Sequence, residues 1–275
     1  MAFAYAWKTA TKGVFSTSSN WSSSPGGGTF PGAESGDEAL ITATGKHYTV
    51  TSNASETILD FATSEFAALD ITNNSTFTAT NGTGENNNAG IVKVEAGSDL
   101  EIGGTLNNSG RIVSFGTTNI TATINNNLGQ LASGTGGILN ISNSTVTQIP
   151  IVVSDDVQLP ASASEIRAGT VPKGGGTTNL TDSITGGTVA VRSSRSVLNL
   201  DGTTIATALL DTQYGGSMNV IGAGATFNSI VNTGYVHVTD GTTLTLQGTI
   251  NNETACRGEF HRSTNWLLPT VGNGR

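Results

Sequence analysis

The sequence predicts an all-β fold, a parallel β-helix (β-solenoid) with coils of roughly 18–20 residues and an aromatic-rich N-terminal cap. Three observations predict it. First, the 275-residue chain is 36 % hydrophobic and 12 % charged, about half the charged share of an ordinary globular domain. Gly, Thr, Asn and Ser fill the difference. Second, Thr, Val and Ile alternate with polar residues, the pattern of strands exposed on one side. Third, short apolar-polar-apolar triplets recur at a near-constant interval and are followed by Gly/Asn turns. One compact globule of this size would be under-filled, whereas a solenoid coil buries only a few side chains against its neighbours. An antiparallel sandwich of hairpins also uses short strands and Gly/Asn turns, but it demands no fixed interval.

Residues 1–52 read as an N-terminal capping module. They hold the densest aromatics: Phe3, Tyr5, Trp7, Phe15, Trp21, Phe30 and Tyr48. Pro25 and Pro31 punctuate loops, and residues 39–42 and 48–51 read as strands. The aromatics are expected to close the open end of the solenoid, whose free edge would otherwise template aggregation. Stacking on sugars is the other use open to them.

Residues 53–252 read as the solenoid repeats. Leu100-Glu-Ile102, Leu139-Asn-Ile141, Leu198-Asn-Leu200 and Leu244-Thr-Leu246 each lead through a polar or glycine turn to Thr and an aliphatic residue. Period-two alternation puts the outer members of each triplet on one face. A second signature is an aliphatic residue, then Asn, then Gly two or three positions on, then another aliphatic residue. It spans Leu106 to Ile112, Ile124 to Leu131 and Ile230 to Val236. Aligning Leu100, Ile120 and Leu139, or Leu198 and Met218, gives the coil interval. Gly and Asn suit the sharp corners, and Asn at equivalent corners is expected to stack and share hydrogen bonds along the axis. The interval loosens between about 147 and 178, around Pro150, Pro160 and Pro172. Residues 253–275 break the pattern and carry the single cysteine, Cys256. They read as an atypical tail, disordered or non-native.

Trp7, Gly13, Phe15, Asn20-Trp21-Ser22, Pro31, Asp37, Ala39, Ile41, Tyr48 and Val50 form a pattern that resembles the opening module of large repetitive proteobacterial exoproteins. Gly104 to Asn108 and Gly248 to Asn252 resemble the β-helical passenger repeats shared by autotransporters and haemagglutinin-type adhesins. The resemblance covers about residues 1–252. It implies a parallel β-helix at the cell surface or in the extracellular medium, with adhesive or scaffold duties. The chain departs from autotransporters: it carries neither a signal peptide nor a C-terminal translocator, which points to another secretion route or a fragment.

Charge narrows the function classes. The net charge is −8 and the 12 basic residues form no dense run, so nucleic acid is not an expected partner. No apolar run is long enough to span a membrane, and the N-terminus lacks the basic leader and long apolar stretch of a secretory signal. A single cysteine excludes an intramolecular disulfide framework.

The candidate chemistry is sparse. Asp155-Asp156, with Arg167 nearby in sequence, is the adjacent carboxylate pair a polysaccharide-cleaving β-helix could use. A solvated turn is the simpler reading. His47, His237 and His261 have no partner at metal-ligand spacing. His237 alternates with Val236 and Val238 and is expected to point outward. Calcium is the one cofactor considered, but the Gly-Gly-x-Gly-x-Asp repeat is absent and Asp201-Gly202 and Asp240-Gly241 read as turns. No catalytic, cofactor or metal site is therefore assigned. The expected function is a non-catalytic structural or adhesive bacterial β-solenoid, extracellular or on the cell surface. Glycans, a host or bacterial surface, or a second copy of the chain are its expected partners. A carbohydrate-binding or polysaccharide-degrading β-helix and a passive spacer of a larger exoprotein are the alternatives.

Overall fold

The computed structural model describes residues 3–23, 28–33, 36–81, 85–126, 129–142, 145–147, 150–154, 175–181, 183–192, 195–213, 216–252 and 260–262. The chain winds into a β-solenoid of about nine turns with almost no helix among the described residues. Each coil has three faces. In one coil, residues 99–102 lie in the first face, 105–108 in the second and 111–114 in the third, and the next coil starts at Thr117. The strand Asp99–Asn108 stays paired with Thr117–Asn125 straight through the corner at Gly103 and Gly104. The first two faces consequently join into one sheet of 18 described strands, and the third face forms a separate sheet of 11.

The coil length matches the sequence interval. Hydrogen-bonded side chains on successive coils are 18 residues apart at Asn108 and Asn126, 20 at Asn179 and Asn199, and 21 at Asn119 and Asn140. One step, from Asn140 to Asn179, takes 39 residues. The interval doubles there because the second and third faces of that coil, residues 145–147 and 150–154, are followed by residues 155–176 before the next described strand. Thr145–Thr147 and Pro150–Ser154 remain in parallel register with their neighbours, while residues 155–174 lie outside the described residues.

Two details of the sequence alignment are corrected. Leu100 lies beside Thr118, not Ile120, and Ile120 lies between Ile102 and Ile141. A slip of two residues keeps every side chain on its face, so alternation alone cannot detect it. The second signature also merges two different corners. Leu106 to Ile112 and Ile124 to Leu131 turn from the second face to the third, whereas Ile230 to Val236 turns from the third face back to the first. Both corners need a residue that tolerates a tight bend, so both select the same residue types.

The core is a stack of thin layers. Leu100, Ile102, Leu106 and Ile112 fill one coil, each at most 1 % exposed, and Leu198, Leu200, Ile205 and Leu210 fill a later one. Each such side chain contributes about 1.5–3 kcal/mol, so few are needed per coil. The close approach of coils shows at Gly110, where an added Cβ would sit 2.0 Å from the Gly90 carbonyl oxygen.

The aromatics close the N-terminal end. Ala4–Trp7 pairs in parallel with Glu38–Ile41 on one side. On its other side it pairs with Trp21–Ser23, the one antiparallel pairing among the described residues. That returning strand occupies the edge that a second chain could otherwise extend. Trp7 and Phe15 each meet Trp21 edge-on, with centroids 4.9 and 5.0 Å away, and Phe15 meets Phe77 at 5.3 Å. Trp21 Nε1 donates to the Phe15 carbonyl at 2.5 Å, which satisfies its one polar atom.

Candidate functional site

The longest ordered array of functional groups is a column of asparagines on the outside of the first face. Asn119, Asn140, Asn179, Asn199 and Asn219 occupy the same register position on successive coils. Each is the middle residue of a triplet whose outer members point inward, so the amide must point out. Asn140 donates to Asn119 Oδ1 at 2.7 Å, Asn179 to Asn140 at 2.8 Å, Asn199 to Asn179 at 2.9 Å and Asn219 to Asn199 at 3.3 Å. Asn119 in turn donates to Glu101 Oε1 at 2.6 Å. At the other end, His237 takes the next register position. At about 4.8 Å per coil, the column from Glu101 to His237 is about 30 Å long.

One flank of the five asparagines is uncharged, while Asp201 lies on the other. Thr117, Ile138, Thr177, Val197 and Ser217 run along the uncharged flank in register. Ile138 is 38 % exposed, and Tyr235, 37 % exposed, adjoins the His237 end. Each amide spends one N–H on the column and keeps a second N–H and a carbonyl lone pair for another partner. The chemistry offered is a flat row of neutral donors and acceptors with apolar contacts beside it.

A shorter column lies outside the second face. Asn125 donates to Asn107 at 2.8 Å, and Asn107 donates to Asn87 at 3.0 Å and to Glu85 Oε2 at 2.6 Å. These three amides and Ser109 line an open recess of about 490 Å³. Directly behind, at the corner, Asn88, Asn108 and Asn126 form a third column that is at most 1 % exposed. Asn88 donates to Asn108 at 2.7 Å and Asn108 to Asn126 at 2.5 Å. This buried column satisfies corner backbone as well: Asn126 donates to the Gly129 carbonyl at 2.9 Å and Asn88 to the Arg111 carbonyl at 3.2 Å.

Asparagine stacking at the corners is thus present at Asn88, Asn108 and Asn126. The longer column is mid-strand, where corner chemistry does not look for it. Its signal was the repeated central Asn of Leu139-Asn-Ile141 and Leu198-Asn-Leu200 at the coil interval.

The other candidates are scattered. Asp155, Asp156 and Arg167 lie outside the described residues, as does Cys256. His47 stacks on Phe66 with centroids 5.5 Å apart, and His237 is exposed on the first face. The strand Phe260–Arg262 pairs with Val236–Val238, which sets the backbone of His261 beside that of His237. Among the described residues no group of three His, Cys, Asp or Glu side chains is placed to hold a metal ion. Asp201 Oδ1 instead accepts from the Ala223 N–H at 2.7 Å, and Gly202 has a φ of +68°. Tyr5, Trp7, Phe15 and Trp21 are at most 4 % exposed, so they are not available to stack on a sugar.

Three carboxyl groups stand out electrostatically. Burial pushes Glu56 up to about 7. Asp60 rises to about 6 through burial and then the adjacent Glu38. Asp70 also rises to about 6, through burial in the first place, against the pull of Lys93. They occupy the three different faces of one coil and do not converge on one open cleft.

Among the described residues no helix is long and apolar enough to cross a membrane. No protein-family description, no curated protein and no solved structure matches the chain.

Proposed function

We propose that the chain is a non-catalytic structural and adhesive β-solenoid of a bacterial surface or secreted protein, and that the first face is its contact surface. The observation that carries this reading is the uncharged asparagine column with its Thr, Ile and Val flank, continuous over five coils. Such a face suits binding spread along an extended neutral partner. The resemblance of Gly104 to Asn108 and Gly248 to Asn252 to adhesin passenger repeats supports the same reading.

Neutral glycans are the favoured partner class. Amide donors and acceptors match hydroxyl groups, and Ile138 and Tyr235 supply the apolar contact that a sugar ring face accepts. The test is retention of purified protein on a panel of immobilised bacterial and plant polysaccharides, with reducing ends scored in parallel. Retention without new reducing ends, lost when Ile138, Thr177 and Val197 are replaced together by Lys, supports the reading. New reducing ends would overturn the non-catalytic assignment and direct attention to Asp155, Asp156 and Arg167. Failure to bind any polysaccharide would remove the adhesive role and leave the spacer alternative.

A further inference from the structure

Residues 30–33 form a turn laid across the N-terminal end of the solenoid. Phe30 packs against the core and Pro31 is buried. The Ala33 N–H donates to the Phe30 carbonyl at 3.2 Å, and the Gly32 N–H donates to Asp37 Oδ2 at 3.2 Å. Directly against Gly32 lies the carboxyl group of Glu56. A Cβ placed on Gly32 would be 3.3 Å from Glu56 Oε2 and 3.2 Å from the Thr57 carbonyl, so the turn rests closely on this acid and a methyl group there would need its neighbours to give by a few tenths of an ångström.

Glu56 occupies a position built for an apolar residue. It alternates with exposed Thr57 and buried Ile58, and the same inward column continues as Phe77 and Leu100 on the next coils. It is 6 % exposed. Among the described residues no ion pair joins Glu56 to a cation. The charged groups on the elements packed around it are acids. Asp37 shares Gly32 with it, and around the corner on the second face Asp60 sits opposite Glu38. An ionised carboxylate in this position keeps its charge only if water reaches it.

We propose that the turn at residues 30–33 is a pH-released cap on the N-terminal end of the solenoid. It stays closed while Glu56 is neutral and is displaced when Glu56 ionises, which uncovers Phe30 and the apolar end of the core. Burial places this change near neutrality, at about 7. Asp60, next along the same coil, ionises at about 6, so the two changes fall at different pH. Exposure of an apolar solenoid end is thereby tied to ambient pH.

The test is hydrogen–deuterium exchange of the full chain at about pH 5.5 and about pH 8.5, corrected for intrinsic exchange. Peptides covering residues 28–36 should lose protection by about tenfold or more at the higher pH, while residues 91–94 on the third face do not change to that extent. Glu56→Gln should keep the turn protected at both values, and Asp60→Asn should retain the transition. Equal corrected protection of residues 28–36 at both values in the unaltered chain would overturn the proposal. So would a transition that persists in Glu56→Gln.

Discussion

Asn119 donates to Glu101 Oε1 at 2.6 Å, and this bond sets the direction of every amide in the first-face column. A carboxylate only accepts, so Asn119 must present its NH2 to Glu101 and its oxygen to Asn140. The same constraint passes down the column to Asn219. The second-face column is oriented in the same way, with Asn107 donating to Glu85. Aligned amide dipoles with an acid at the donor end follow the electrostatic logic of an acid at a helix N-terminus. The buried column runs the other way. There the Thr63 hydroxyl donates to Asn88 Oδ1 at 2.6 Å and the Gly129 carbonyl accepts at the far end.

Replacing Glu101 therefore has a graded effect. Glu101→Gln keeps an acceptor for Asn119 and loses only the charge, so it should cost less than about 1 kcal/mol. Glu101→Lys sets a donor against a donor and should cost about 1–2 kcal/mol. The midpoints of urea unfolding give both values. Equal midpoints for the two variants would mean that Glu101 does not orient the column.

Asn107 and Asn108 are sequence neighbours with opposite fates. Asn108 is 1 % exposed and sits between Asn88 and Asn126, whereas Asn107 bonds Asn87, Asn125 and Glu85 in contact with water. Asn108→Ala leaves a buried N–H and a buried oxygen without partners and should cost about 2–4 kcal/mol. Asn107→Ala lets water replace the lost bonds and should cost less than about 1 kcal/mol. Thermal unfolding of the two single variants measures the difference.

The chain should be more stable in mild acid than in mild base. Glu56, Asp60 and Asp70 hold their protons in the fold up to about 7, 6 and 6, against ordinary values near 4. Between those limits the folded state binds more protons than the unfolded chain, so stability falls as pH rises. This contribution is fully present below about pH 4 and is lost by about pH 7–8. Discounted for screening by solvent, the three groups together should lower stability by about 1–3 kcal/mol between pH 5 and pH 8, or Tm by about 3–10 °C. A variant carrying Glu56→Gln, Asp60→Asn and Asp70→Asn should flatten the curve. A Tm that rises from pH 5 to pH 8 in the unaltered chain would contradict the assignment.

The architecture was legible because a solenoid writes its period into the chain. Leu198 and Met218 stand 20 residues apart in sequence and side by side in the first face. Register was less legible, because Leu100 can be matched with Thr118 or Ile120 without moving any side chain to the wrong face. The asparagine column was half legible: the central Asn of each triplet repeats, but an outward Asn on a strand reads as ordinary surface until stacking brings its neighbours within hydrogen-bond reach. Glu56 was illegible. Nothing in Glu56-Thr-Ile58 says that the outer positions are both inward or that a turn more than twenty residues earlier covers the first of them.

Gly110 and Gly186 lie at the same kind of corner, between the second and third faces, but for different physical reasons. At Gly110 an added Cβ would fall 2.0 Å from the Gly90 carbonyl oxygen, so Gly110→Ala must push two coils apart. Coils are held by continuous ladders on all three faces and cannot separate locally, so the variant should lose more than about 3 kcal/mol or fail to fold. At Gly186 the φ is +78° and nothing lies within 4 Å of an added Cβ. Gly186→Ala therefore meets only backbone strain, about 1–2 kcal/mol, and Gly186→Asn meets less because Asn tolerates that conformation. Soluble yield and Tm of the three variants should rank Gly186→Asn above Gly186→Ala and both above Gly110→Ala. A Gly110→Ala protein as stable as Gly186→Ala would show that the coils at this corner are not in the contact described.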